Sequence, residues 1–302
     1  MPHRQPRSQR LAPLALIGVA VVWGAAFVIM KDALNTQPIL DFLGTRFLIA
    51  ALVMVAAKPS VLKALRGPVV WQGIVLGCLL GIAYYTQTVG LQLTTAAIAG
   101  FVTGLYVVFA PLLIWLFLKG RVAGKVWIGV ASATAGLAFI SVNPVGLQFE
   151  WPQLWLVVCA LFFALHIVGL AKWSPGQNAY ALTVIQLGVM GVGFSGWAVS
   201  GGYHAPVGLP GWSAILFTAV FSTAIAFFVQ TWAQGIMDSS RVAIFLTSET
   251  LFTAIMAVAI GQEVLQGKTI IGGVLILTAM LVVEWPGRRG SQTAVPLENM
   301  PH

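Results

Sequence analysis

Six side chains able to make strong polar interactions fall well inside long apolar runs: Arg46, Gln87, His166, Gln186, Gln230 and Glu249. Such groups are costly in apolar surroundings, so a chain that keeps them has a use for them. Each supports a chemical use and a structural one. Gln87 and Gln230 could hydrogen-bond a zwitterion or cavity water, or bind a neighbouring helix. His166 could bond a ligand or accept a proton, or be satisfied locally. Glu249 could exchange a proton or receive an ammonium group. Alternatively it pairs with Arg241 or Arg46. Arg46 could receive a carboxylate, or anchor a helix end or carbonyls. Aromatic groups with polar handles, Trp23, Tyr84, Tyr85 and Tyr106, lie at similar depth.

Catalysis would need a positioned nucleophile, base or metal set. No Ser/His arrangement, paired Asp or His-rich motif occurs within these runs, and Cys78 and Cys159 have no second Cys or His at ligand spacing. No phosphate-binding Gly-rich loop of the Walker type occurs. The chain therefore reads as a non-enzyme without metal or cofactor.

The elements that must carry these residues are membrane helices. Of 302 residues, 59% are hydrophobic and 8% charged, against about 25% charged in soluble domains. The mean hydropathy is +0.92. Ten windows are long and apolar enough to cross a membrane: 11–30, 40–57, 69–91, 96–118, 126–142, 152–171, 180–197, 212–232, 242–260 and 269–283. They are too continuous for barrel strands. The first follows Arg4, Arg7 and Arg10, as in a signal peptide, but its apolar run is long and no clear cleavage site follows, so it reads as a retained span. The net charge of +8 carries topology rather than a nucleic-acid signal. With a cytoplasmic N-terminus, thirteen of the sixteen basic residues lie on the cytoplasmic side, two outside and Arg46 within a span. The positive-inside rule then puts both termini in the cytoplasm.

The chain also repeats itself. Gln87-Thr88 returns 143 residues later as Gln230-Thr231, Gly124-Lys125 as Gly267-Lys268, and Ile128-Gly129 as Ile271-Gly272. Each half, 11–143 and 151–285, holds five spans. A duplicated unit with an odd number of spans inserts the second time upside down. The expected fold is an all-α membrane protein of ten transmembrane helices in two inverted five-helix repeats. A short loop, Asn143 to Pro152, joins them, and the tails 1–10 and 286–302 are expected to be mobile. Inverted repeats of this kind imply a solute site near midplane where the halves meet.

Helical geometry sorts the candidates. At 100° per residue, Tyr84, Gln87 and Leu91 share one stripe, and Gly81, Tyr85 and Thr88 another. The first is the better cavity face. Trp23, Phe27 and Met30 form an apolar stripe on the first span. On the sixth, Phe162, His166, Gly169 and Trp173 align, and Trp23 and His166 are expected to line the same cavity. Gly73, Gly77 and Gly81, with Gly100 and Gly104, are expected to pack closely inside the five-helix unit. Pro111 should kink or loosen the fourth span.

These residues resemble the drug/metabolite transporter superfamily, in its EamA-type ten-helix branch. The likeness runs over about residues 11–285. It rests on Trp23-Gly24-Ala25-Ala26-Phe27, Arg46-Phe47 with Ala50, Gly90-Leu91 with Thr94-Thr95-Ala96, and Phe101 through Tyr106 to Pro111. In the second half it includes Ser240-Arg241-Val242-Ala243, Glu249 and Gly261-Gln262-Glu263. The family often has Glu-Pro where this chain has Glu249-Thr250, and Lys119-Gly120 stands where the repeat would put Gln262-Glu263.

Within the branch the chain is most similar to YddG-type amino-acid exporters. That likeness implies export of aromatic and other neutral amino acids across a bacterial inner membrane. The alternative is a proton-coupled exporter of lipophilic cations, with Glu249 as the exchanging carboxylate. The expected substrate-binding residues are Trp23, Phe27, Tyr84, Gln87, Tyr106, His166 and Gln230, with Glu249 and Arg46 as a coupling or ion-pair set. The expected partners are small-molecule substrate and membrane lipid, with no nucleic acid, in a monomer or weak homo-oligomer.

Overall fold

A computed structural model describes residues 7–94, 96–118, 122–141, 151–259 and 267–284. The described residues form thirteen α-helices and no strand. They are α1 (Arg7–Ala33), α2 (Ile39–Ala57), α3 (Pro68–Leu93), α4 (Ala96–Gly104), α5 (Tyr106–Leu118), α6 (Gly124–Ser141), α7 (Gln153–Trp173), α8 (Ala179–Ser200), α9 (Gly208–Ala219), α10 (Ala226–Gln234), α11 (Ser239–Leu246), α12 (Ser248–Ala259) and α13 (Gly267–Glu284). A 3₁₀ turn, Pro59–Ala64, follows α2, and a π-helical segment, Val220–Ile225, joins α9 to α10. Six spans are long and apolar enough to cross a membrane: α1, α2, α3, α7, α8 and the continuous run from α9 through α10. With no water in hydrocarbon to satisfy backbone groups, helices are the expected outcome of such runs.

The helix ends follow local chemistry. The Asn178 side chain accepts from the Ala181 N–H at the start of α8. Asp238 accepts from the Ser240 and Arg241 N–H groups at the start of α11. Pro68 opens α3 after Gly67, whose φ of +65° suits a residue without Cβ. α1 begins at Arg7, inside the stretch 1–10 expected to be a mobile tail. Residues 1–6 of that stretch, the C-terminal tail 286–302, the joining loop 143–150, Thr95, Lys119-Gly120 and Gly261-Gln262-Glu263 lie outside the described residues.

The two sequence halves are interleaved. α2 lies on α8, α3 on α7 and α8, α1 on α12, and α6 on α13, each pair joining one half to the other. The approach is close. A Cβ on Gly191 would sit 2.7 Å from the Leu48 nitrogen, and one on Gly136 would sit 2.7 Å from the Gly272 carbonyl oxygen. The Ser132 hydroxyl donates to the Leu275 carbonyl across the same α6–α13 contact, at 2.8 Å. This corrects one expectation. Gly73 and Gly77 do not pack inside the first half but against Ile185, Gln186 and Val189 of α8. Gly100 likewise meets Thr250 of the second half, whereas Gly104 stays within its own half against Leu137.

Two of the apolar runs are interrupted. Leu105 separates α4 from α5, and Thr247 separates α11 from α12, one residue off the 143-residue spacing of the sequence repeat. At the first break the Leu105 N–H donates to the Val102 carbonyl, a tightened turn. At the second, the Thr247 hydroxyl donates to the Ile244 carbonyl at 2.6 Å. Pro111, expected to kink or loosen the fourth span, lies within α5, six residues beyond the first break. Gly104, a poor helix former at the α4 terminus, is the better local cause.

Candidate functional site

The breaks and the π segment surround one central cavity. α1 supplies Trp23, Ala26, Phe27 and Met30, α2 supplies Arg46, and α3 supplies Tyr84 and Gln87. Tyr106 follows the first break and Glu249 the second. These two are themselves 143 residues apart. Phe163 and Ile167 of α7, Ser222 of the π segment, Gln230 of α10 and Leu246 of α11 complete the wall with Thr103. Irregular backbone at membrane depth is tolerated where it lines a cavity, and discontinuous helices recur at solute sites.

Of the nine site residues expected from the sequence, eight line this cavity: Trp23, Phe27, Arg46, Tyr84, Gln87, Tyr106, Gln230 and Glu249. His166 is not among the lining side chains. It is fully buried, and its Nε2–H donates to Gln186 Oε1 at 2.7 Å. Phe163 and Ile167 take its place. α7 is thus turned by about one residue, roughly 100°, from the orientation expected. An all-round apolar helix offers little to set that angle. Phe227, fully buried, stands between Trp23 at 5.4 Å, Tyr84 at 5.8 Å and His166 at 6.4 Å, centroid to centroid.

The polar groups divide into spoken-for and free. Arg46, 2% exposed, donates from Nε to the Thr223 hydroxyl at 2.7 Å and from Nη2 to the Ser222 hydroxyl at 3.0 Å. Its guanidinium carbon lies 5.3 Å from the Phe47 ring and 5.1 Å from the Tyr84 ring, cation–π contacts that fix its plane. Arg46 therefore anchors hydroxyls of the π segment, where a helix end or carbonyls were expected. The Trp23 indole N–H donates to the Ser222 carbonyl at 2.8 Å.

By contrast, the Tyr106 hydroxyl and Gln230 Oε1 are buried without a hydrogen-bond partner among the described residues. Gln87 makes no side-chain hydrogen bond among the described residues. No ion pair joins Glu249 to Arg46, although both line the cavity. Beyond Gln230, Gln234 donates to the Ile167 carbonyl at 3.0 Å and to the Ser239 hydroxyl at 3.1 Å, tying α10 to α7 and α11. Ser222, Thr223 and Phe163 were not anticipated. A signal for the first two existed: their repeat counterparts are Leu79 and Leu80, and that of Arg46 is Val189. Polar residues on one side of a repeat with apolar mates on the other mark a specialised position.

The chain matches the family model described as EamA-like transporter family over residues 10–142 and again over 150–285. An uncharacterized transporter of Archaeoglobus fulgidus is 32% identical over 272 residues, covering 90% of this chain and 85% of its own. The uncharacterized transporter YvbV of Bacillus subtilis is 25% identical over 290 residues, covering 93% and 94%. A solved crystal structure superposes with a TM-score of 0.75 at 19% identity, covering 91% of this chain and 96% of its own, a likeness of fold alone.

Proposed function

The chain belongs to the EamA-like transporter family, and from that premise we propose that it exports amino acids, aromatic and other neutral ones, and related metabolites. Export proceeds by alternating access around the central cavity. The protein sits in a bacterial inner membrane as ten transmembrane helices in two inverted five-helix repeats, with both termini cytoplasmic. The observation that carries the reading is the pairing of chemistries in one cavity. Trp23, Phe27, Tyr84, Tyr106 and Phe163 offer an aromatic wall. Arg46 offers a guanidinium and Glu249 a carboxyl group, with no ion pair between them. The Gln230 side-chain oxygen and the Tyr106 hydroxyl have no hydrogen-bond partner among the described residues. A zwitterion with an apolar side chain meets all three features: carboxylate towards Arg46, ammonium towards Glu249 and Gln230, side chain on the aromatic wall.

A second reading is favoured by Glu249 in particular. A carboxylate in an aromatic cavity with no ion pair to Arg46 suits a lipophilic cation exchanged for a proton. Counterflow in proteoliposomes separates the two readings. With a panel of neutral amino acids and cationic dyes, tested with and without a pH gradient, aromatic amino acids should exchange without a gradient. Gradient-dependent uptake of dyes alone would replace the first reading with the second.

A further inference from the structure

Arg46 reaches across from α2 to the π segment and presents one edge of its guanidinium, Nε and Nη2, to two hydroxyls at 2.7 and 3.0 Å. That edge is the fork a carboxylate uses for two parallel hydrogen bonds. Thr223 Oγ1 and Ser222 Oγ therefore stand where the two oxygens of a carboxylate would stand. Cation–π contacts to Phe47 and Tyr84 hold the guanidinium plane independently of those hydroxyls. The third contact, from Nη1 to the Met30 sulfur at 3.6 Å, is a weak one. Both Arg46 and Ser222 line the cavity.

From this geometry we infer that Ser222 and Thr223 are surrogate ligands that set the carboxylate selectivity of the cavity by competing with the substrate for Arg46. The inference rests on the proposed transport of carboxylate-bearing solutes. Without substrate, the hydroxyl pair supplies a buried cation with the oxygen acceptors it would otherwise lack, a costly loss. An ionised carboxylate makes stronger hydrogen bonds than neutral hydroxyls, so it displaces them. A solute without a carboxylate does not. The displaced hydroxyls then lose the contact that holds the π segment to α2, leaving the Trp23 bond to the Ser222 carbonyl as its remaining tie at that residue. A π bulge is one residue out of α register, so its release shifts α10, which carries Gln230. Ser222 and Thr223 are positioning residues: they act through Arg46 and through the helix they belong to.

The test compares L-phenylalanine with L-phenylalaninamide, which differ in the carboxylate, in proteoliposome counterflow. In a Ser222→Ala/Thr223→Val double variant, the KM for the acid should fall about tenfold relative to that for the amide, the loss of a competing charged hydrogen-bond pair. Thr223→Ser, which keeps the oxygen, should restore the wild-type ratio. A purely structural role would move both KM values together, and an unchanged or inverted ratio overturns the inference. If the double variant does not fold, Thr223→Val alone carries the test, with a smaller shift of the same sign. Should the wild type carry neither compound, the transport reading falls and this inference with it. Should it carry the acid while the ratio stays fixed, only the competition at Arg46 falls.

Discussion

Gln87 and His166 are both buried polar side chains on neighbouring helices, and the difference lies in their partners. His166 donates a hydrogen bond from Nε2–H to Gln186 Oε1, and the Gln186 amide N–H donates to the Leu182 carbonyl at 3.1 Å. Gln87 faces the cavity and bonds no described neighbour. Opposite mutational outcomes follow. Gln87→Ala should lower transport about fivefold, the equivalent of one hydrogen bond of ~1 kcal/mol, with the folded yield intact. His166→Leu should leave Gln186 Oε1 without its donor, at about 1–3 kcal/mol, and lower the unfolding temperature in detergent while transport per folded molecule persists. Equal loss of yield and activity in both variants would defeat the distinction. The residue types at the cavity were legible in the sequence because polar groups are so scarce in these runs. The facing of α7 was not. His166 and Ile167 differ by one helical step, and no polar stripe on an apolar helix says which side meets a neighbour. The hydroxyls of Ser222 and Thr223 escaped notice for another reason: Ser and Thr are common in membrane helices, where they can satisfy themselves on the preceding turn, as Thr88 does on the Tyr84 carbonyl.

The helices themselves were legible, and their interruptions were not. An apolar run of sufficient length dictates a helix. Pro111 sits inside α5, where the helix runs on because a proline costs one hydrogen bond that packed neighbours can offset. The breaks at Leu105 and Thr247, and the π segment, depend on tertiary contacts that composition does not encode. Glycines told a similar half-truth. Their spacing announced close packing without naming the partner helix. α8 permits a sharp comparison within one element. Gly191 meets the α2 backbone, with an added Cβ 2.7 Å from the Leu48 nitrogen, while Gly193 has nothing within 4 Å. Gly191→Val should cost about 1–3 kcal/mol or more through overpacking against backbone that cannot yield. Gly193→Val should be tolerated. Folded yield by size-exclusion chromatography checks both, and equal behaviour would mean that α2 and α8 are not in backbone contact.

At the scale of the whole molecule, the proposed orientation follows from the thirteen-to-two distribution of basic residues. With Cys78 and Cys159 replaced by alanine, a cysteine at Ala205 should react with a membrane-impermeant reagent in intact cells. One at Lys63 should be protected, and the reverse pattern would invert the topology. Both positions are exposed in the fold, so reactivity reports the side of the membrane rather than burial. The interleaving of the halves has a consequence for how the protein is made. α3 leaves the ribosome well before α8, its packing partner through Gly73 and Gly77. Roughly a hundred residues separate their completion, about 5–20 s at ~5–20 residues per second. During that interval the glycine face of α3 has no native partner, and the nascent chain must be sheltered at the insertion machinery or make provisional contacts with lipid. Neither half is therefore a unit of assembly. Ribosome stalling between α7 and α8 should yield a chain that is threaded but still open to protease, and its protection should come in one step once α8 has been released.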